Sequence, residues 1–118
     1  MILADTSIWV DFLRRGEPAL AGLLERGEVL VHEMVVGELV LGGLPRDGEI
    51  PSLFESLPRA GAVTHGELVA FVHEHGLAGA GVGYVDAHLL AATALEPGAR
   101  LWTRDEKLAK LAERLGLA

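Results

Sequence analysis

The sequence predicts an α/β fold, a three-layer α/β/α sandwich around a central parallel sheet. Short apolar runs typical of buried strands alternate along the chain with longer segments whose apolar residues recur at helical spacing. The chain has 118 residues, of which 50% are hydrophobic and 23% are charged, so its size and composition suit one globular domain. We therefore expect one domain over residues 1–118, without linkers or internal repeats.

The first half of the chain is expected to open with a strand followed by a helix. An apolar run at residues 2–4 predicts the strand, and apolar residues at helical spacing predict the helix over residues 6–15. Further along, the same criteria predict a short helix around residues 20–24, a strand at 28–32, a helix at 33–41 and a short helix near 52–57.

The second half is expected to alternate in the same way. Thr64 and Glu67 match a capping box, in which each side chain bonds the other residue's backbone amide, and so they mark the start of a helix. A second such pattern runs from Thr103 to Glu106 and is expected to open a final amphipathic helix. The other expected elements are a strand at residues 60–63, a glycine-rich loop at 76–83, an apolar helix at 84–95 and a strand at 100–103.

Three aspartates lie where the strands end or the helices begin. Asp5 stands at the end of the first strand, Asp105 follows the last strand, and Asp86 lies in the first turn of the helix after the glycine-rich loop. In open parallel sheets, ligands bind beyond the carboxyl ends of the strands. Each aspartate alone is equally well explained as a helix cap, a role worth about 0.3 to 2 kcal/mol.

Two carboxylates are harder to explain as caps. Glu38 lies in the middle of its helix, spaced with Met34 and Leu41 on what should be the buried face. Asp86 is the only ionised side chain between residues 83 and 95, in a helix expected to be buried on most sides. A buried carboxylate is costly unless it is paired or binds a metal, and no basic residue falls at a matching core position. A cation is therefore expected, and oxygen ligands favour Mg²⁺ or Mn²⁺ over Zn²⁺.

Charge and cysteine content limit the possible functions. Lys and Arg number 10 against 17 Asp and Glu, and the formal charge of −7 argues against nonspecific duplex DNA binding through a broad basic face. The absence of cysteine excludes disulfides, zinc–thiolate sites and cysteine nucleophiles. The N-terminus lacks the features of a signal peptide and no apolar run is long enough to span a membrane, so we expect a cytoplasmic protein.

Four segments, taken in order, resemble the successive motifs of PIN domains, particularly those of VapC-type toxins. These segments are Asp5-Thr6-Ser7-Ile8-Trp9-Val10-Asp11-Phe12, the helix that carries Glu38, Val85-Asp86-Ala87-His88-Leu89-Leu90-Ala91-Ala92, and Leu101-Trp102-Thr103-Arg104-Asp105. An aspartate after a strand is common, so each motif alone is a weak signal. Because all four occur in the family's order over nearly the whole chain, the resemblance is strong.

The resemblance implies a central parallel sheet of four or five strands that brings together the family's acidic quartet, which holds Mg²⁺ or Mn²⁺. The quartet would be Asp5, Glu38, Asp86 and Asp105. Ser7 and Thr103 would match hydroxyls that orient the metal's waters or the neighbouring acids. The implied activity is cleavage of RNA phosphodiesters by a metal-activated water, as the toxin of a type II toxin–antitoxin pair. The implied partners are a cognate antitoxin and a second copy of the chain in a homodimer.

Several basic and aromatic residues lie beside the expected site. Trp9 and Trp102 could stack on bases, although core packing is the more frequent role of tryptophan. The basic side chains could contact phosphate, although a solvated helix face is their more usual setting. These candidates for RNA contact are Arg14, Arg15, Arg104, Lys107 and Lys110.

Two other function classes fit the acids less well. A receiver-like signalling domain also binds magnesium through acids at strand ends, but it needs a second acid after the first strand and a lysine after the last. Here Thr6 and Ser7 follow Asp5, and Arg104 lies where that lysine would be sought. The other alternative is a catalytically silent PIN-fold interaction module, and the presence of all four acids argues against it.

Overall fold

Three strands and seven helices follow one another in the computed structural model, which describes residues 1–118. In chain order they are β1 (Ile2–Ala4), α1 (Thr6–Arg15), α2 (Pro18–Glu25), β2 (Val29–Leu30), α3 (Glu33–Leu41), α4 (Glu49–Ser56), α5 (His65–Glu74), α6 (Tyr84–Leu95), β3 (Arg100–Trp102) and α7 (Glu106–Arg114). The expected alternation of strands and helices is therefore confirmed. None of the helices is long and apolar enough to cross a lipid bilayer.

The strands form one parallel sheet in the order β2-β1-β3. The central strand β1 pairs on both sides, so that Leu3 lies opposite Leu30 of β2 and Leu101 of β3. Leu3 and Ala4 are completely buried, as expected of a strand that is covered on both faces. The parallel sheet is confirmed, but it has three strands, and the expectation of four or five is wrong.

The strand expected at residues 60–63 is reduced to a single parallel bridge between Val31 and Arg59. The Val31 amide donates to the Pro58 carbonyl and the Ala60 amide donates to the Val31 carbonyl, each at 2.9 Å. Beyond this point the neighbouring chain turns away, because His32 already begins α3 as its N-cap. Residues 60–63 therefore have no further strand with which to pair.

Helices pack against every strand of the sheet. α1 packs against β1, α2 against β2, and both α6 and α7 against β3. The chain crosses from β1 to β2 in one direction and from β2 past β1 to β3 in the other. Because parallel crossovers are almost always right-handed, we expect the two sets of connecting helices on opposite faces of the sheet. The three-layer arrangement stays a prediction on this argument.

Local hydrogen bonds at the helix starts confirm one of the two expected capping boxes and show that Asp5 and Asp105 are caps. Thr64 and Glu67 form the expected capping box of α5. Asp5 caps α1 through the Ile8 amide, as an aspartate at the end of a strand can. The expectation of a Thr103–Glu106 capping box is wrong, because α7 begins at Glu106, two residues later than a helix capped by Thr103 would, and its N-cap is Asp105.

The hydrophobic core surrounds Trp9 and the middle of α6. Trp9 is completely buried and makes edge-on contacts with Phe12 and Phe54. The α6 residues from Ala87 to Thr93 are all buried, so the expectation of a helix buried on most sides is confirmed. Trp9 is therefore a core residue, and the suggestion that it stacks on bases is wrong.

Candidate functional site

Asp5 lies at the carboxyl end of the central strand and is only 5% exposed. Its backbone amide donates to the Trp102 carbonyl at 3.0 Å, which joins the ends of β1 and β3. Its carboxylate accepts hydrogen bonds from the Ser7 hydroxyl at 2.5 Å, from the Ile8 amide at 3.2 Å and from the Thr103 hydroxyl. Asp5 is thus a helix cap whose two carboxylate oxygens are both held in fixed positions.

The two hydroxyls named in the sequence analysis connect Asp5 to the turn between β3 and α7. Thr103 donates to Asp5 and accepts from the Asp105 amide at 3.0 Å. Ser7 donates to Asp5 and accepts from the Arg104 amide at 3.0 Å. Each hydroxyl therefore uses its donor on an acid of the site and its acceptor on the backbone that carries Asp105.

Glu38 is exposed, and the expectation that it lies on the buried face of α3 is wrong. The buried residues of that helix are Val35 and Leu39. The Glu38 carboxylate instead faces α1 and accepts a hydrogen bond from the Thr6 hydroxyl at 2.6 Å. Because Thr6 follows Asp5 directly, this bond places Glu38 near the end of the central strand. The helical spacing of residues in α3 did not indicate this contact.

Asp86 experiences the negative charges of all three other acids. Its pKa is raised to about 6, first by burial and then by the charges of Asp5, Glu38 and Asp105. Three acids distant in sequence thus lie within electrostatic range of a fourth that is half-buried at the start of α6. Burial and these negative charges disfavour full ionisation of the cluster.

Asp105 is exposed and caps α7 by accepting the Leu108 amide at 2.8 Å. Together with Asp86 it lines a cavity of about 130 Å³, room for a few water molecules or a hydrated ion. The other residues at this cavity are Gly81, Val82, Gly83, Lys107 and Leu108. Caps and site residues are therefore not alternatives here, because Asp5 and Asp105 cap helices and face the acid cluster at the same time.

The donor set fits a hard divalent cation. Its members are carboxylates whose charges repel one another, and hard oxygen ligands are those that Mg²⁺ and Mn²⁺ prefer. No three Asp, Glu or His side chains converge closely enough to form a preassembled ligand set. Several of these acids would therefore have to move to reach one ion directly, although Mg²⁺ often binds through only one or two carboxylates and several waters.

The basic side chains around the acids are engaged in different ways. Arg104 pairs with Asp11 at 3.2 Å and with Glu17, and its guanidinium lies 5.4 Å from the centre of the Trp102 ring. Arg15 also pairs with Asp11, at 3.1 Å. Arg14, Lys107 and Lys110 are exposed and form no ion pair. Two of the candidate RNA contacts are therefore already neutralised by acids of the chain.

The partners of Arg104 and the space beside Glu38 were missed by sequence reasoning. The i, i+4 spacing of Asp11 and Arg15 could have predicted their ion pair. Nothing in the local sequence indicates that Arg104 pairs with Glu17. A groove of about 560 Å³ runs along α1, α3 and the following loop. Its lining includes Thr6, Val10, Arg14, Glu38 and Ile50, and the proline- and glycine-rich stretch at 42–51 could have suggested it.

Comparison with known proteins identifies the class to which this fold and acid cluster belong. A family model described as the PIN domain matches residues 2–114, and the chain belongs to that family. The chain is similar to proteins named Ribonuclease VapC32 from two strains of Mycobacterium tuberculosis, CDC 1551 and H37Rv. Each is 41% identical to it over 118 residues, which cover 100% of this chain and 95% of the relative. The resemblance noted in the sequence is thereby confirmed, and a receiver-like domain is set aside.

Proposed function

We infer that this chain is a VapC-type endoribonuclease, the toxin of a type II toxin–antitoxin pair. The observation that carries the inference is a cluster of four acids from separate parts of the chain, in which the charges of three raise the pKa of the fourth, Asp86. Such mutual repulsion lowers stability unless a bound cation compensates it. The full-length similarity to proteins named as ribonucleases supports RNA as the substrate class.

Asp5, Glu38, Asp86 and Asp105 would hold Mg²⁺ or Mn²⁺. Such an ion supplies a nucleophilic water at neutral pH and charge stabilisation for a phosphodiester. Ser7 and Thr103 already orient both carboxylate oxygens of Asp5, so this side chain would need little rearrangement to bind an ion. Thr6 holds Glu38 in the same manner.

Asp86 has to be ionised to act as a ligand. Its pKa of about 6 leaves it mostly deprotonated at pH 7.5, and the repulsion that raises this pKa is relieved by a cation. Metal binding and proton release at Asp86 are therefore coupled, so that metal affinity falls as the pH drops below 6.

Two protein partners follow from the same resemblance. We propose that an antitoxin silences the enzyme by covering the acid cluster or the groove beside Glu38, and that the chain forms a homodimer. Sedimentation of the purified protein reports the second point directly. Growth arrest on expression, relieved by co-expression of the adjacent gene's product, tests the first.

The activity is tested by cleavage of a labelled RNA by the purified protein with Mn²⁺. We expect cleavage by the wild type and a loss of at least about 100-fold in Asp5→Asn and Asp86→Asn, because each variant removes a proposed ligand. Glu113→Gln is the matched control, since it removes one negative charge from the last turn of α7.

The possible results separate the alternatives. Undiminished cleavage by Asp86→Asn would show that the acid cluster is not the active site. If the wild type binds Mn²⁺ without cleaving RNA, a catalytically silent interaction module is the better description.

A further inference from the structure

Lys107 differs from Arg104, the other basic residue next to Asp105, in having no acidic partner. Arg104 forms ion pairs with both Asp11 and Glu17, whereas Lys107 forms neither an ion pair nor a side-chain hydrogen bond. It lies in the first turn of α7 and lines the same cavity as Asp86 and Asp105. The cavity lined by the two carboxylates therefore also has one unpaired ammonium group.

The Lys107 ammonium lies against the glycine-rich loop that precedes α6. Its Nζ atom is 2.7 Å from the point where a Cβ atom on Gly81 would be, so a side chain at Gly81 would displace the ammonium from its present position. Gly81 also has a φ of +79°, a conformation that favours glycine. The ammonium of Lys107 thus lies beside this loop at the cavity that Asp86 and Asp105 also line.

Lys107 does not act as the counterion of these acids. No carboxylate oxygen of Asp86 or Asp105 lies within 4.0 Å of its nitrogen, the limit for an ion pair. The ammonium is therefore available to an anion from outside the protein.

We propose that Lys107 binds a phosphate group of single-stranded RNA at the cavity lined by Asp86 and Asp105. The proposal rests on the ribonuclease function inferred above and assigns one substrate contact within it. A phosphodiester bound there would meet the ammonium on one side and the acid cluster, with its cation, on the other. Lysine suits this position because it binds phosphate as a compact point charge.

The first test compares Lys107→Met with Arg26→Met. Arg26 is the C-cap of α2, ahead of the amino end of β2 and so away from the acids, and it pairs with Glu28 at 3.4 Å. In Lys107→Met we expect KM for a short RNA to rise about tenfold with a smaller change in kcat. In Ca²⁺, the salt dependence of RNA binding should lose about 0.7 from its slope, the value for one phosphate contact to a single strand. Lys107→Arg should restore both properties.

A second pair of variants keeps the lysine but displaces it. A methyl group in Gly81→Ala would collide with the ammonium, whereas one in Gly79→Ala would meet nothing within 4 Å, although Gly79 has nearly the same φ of +75°. Both variants carry similar backbone strain, so a drop in stability common to both is not informative. We expect only Gly81→Ala to reproduce the rise in KM.

An unchanged KM and salt slope in Lys107→Met would overturn the proposal. Tighter Mn²⁺ binding by that variant with KM unchanged would also overturn it, since Lys107 would then be a competing cation of the acids. Failure of the wild type to cleave RNA would contradict the proposed function, while the binding measurements in Ca²⁺ would still report on Lys107.

Discussion

The effect of the acid cluster on the stability of the protein can be measured at Asp86. Its pKa rises from 3.8 to about 6, so the folded protein favours the protonated carboxyl more than the unfolded chain does. The ionised form therefore weakens the fold at any pH above about 6, and the penalty disappears as the pH falls towards 4. Without screening by solvent, this change in pKa would destabilise the folded protein by about 3 kcal/mol. Because the side chain is partly exposed, screening lowers the destabilisation to about 1 kcal/mol.

We predict that Asp86→Asn is more stable than the wild type when metal is absent. At pH 8 with a chelator, urea denaturation should give a free energy of unfolding about 1 kcal/mol higher for the variant. The difference should shrink between pH 6 and pH 4, where the wild-type carboxyl takes up its proton.

Saturating Mn²⁺ should reverse this order, because the ion stabilises the state that binds it and the variant lacks a ligand. A variant that is less stable than the wild type at pH 8 in chelator would contradict the repulsion on which the site assignment depends.

At the scale of the element, α3 depends on an unusual cap. The His32 Nδ1 atom accepts the Met34 amide at 3.0 Å, so the ring must be neutral with its proton on Nε2. That Nε2 atom is buried without a partner. Burial lowers the pKa of His32, the charge of Glu33 raises it and His88 on α6 lowers it further. The helix that carries Glu38 therefore begins at a histidine that has to remain uncharged.

We predict that the α3 cap makes the protein sensitive to acid. Because the folded-state pKa of His32 lies below 6.5, the contribution of His32 to stability is complete above about pH 6.5 and is lost as the pH falls through the folded-state value. His32→Asn retains a capping side chain without a titratable ring, so it should lose less stability between pH 7.5 and pH 5.5 than the wild type does. Urea denaturation at the two pH values measures this, and the effect of Asp86 is common to both proteins.

His32→Ala is the control for the cap itself. Both variants remove the buried ring, but only alanine also removes the hydrogen bond to Met34, so we expect His32→Ala to be about 1 kcal/mol less stable than His32→Asn at pH 7.5. Equal stability of the two variants would mean that the His32 bond does not stabilise α3.

The helices were predictable because their signals are local. The Thr64–Glu67 capping box and the apolar spacing of α1 and α6 lie within a few residues of the structures that they specify. The strand at 60–63 failed because pairing depends on a neighbour, and that neighbour ends at His32. A two- or three-residue strand carries almost no pattern of its own.

The acids of the site were predictable from their order along the chain, but their environments were not. Thr103 was expected either to cap α7 or to orient a neighbouring acid, and its hydroxyl bonds to Asp5, 98 residues earlier, as the second role requires. Glu38 looked buried because α3 has apolar residues on several sides, so spacing alone could not choose its buried face. The error at Glu38 concerns a tertiary partner, Thr6, that lies 32 residues away and outside any local window.

At the scale of the whole molecule, charge opposes the proposed substrate. The formal net charge is −7 and two of the arginines near the site are paired with acids, so RNA approaches a surface of its own sign. Divalent ions at the acid cluster would reverse the local charge where the phosphodiester has to bind. Metal would then be needed for RNA association as well as for cleavage.

We predict that RNA binding is weak in EDTA and at least about tenfold tighter in Ca²⁺ at the same ionic strength, as measured by fluorescence anisotropy of a labelled single strand. Matching the ionic strength with NaCl is essential, because added salt alone weakens electrostatic binding and so acts in the opposite direction. Asp86→Asn should lose most of the gain from Ca²⁺, whereas Glu113→Gln should keep it. Equal affinity of the wild type in EDTA and Ca²⁺ would mean that RNA is held away from the acids, by basic groups that need no cation.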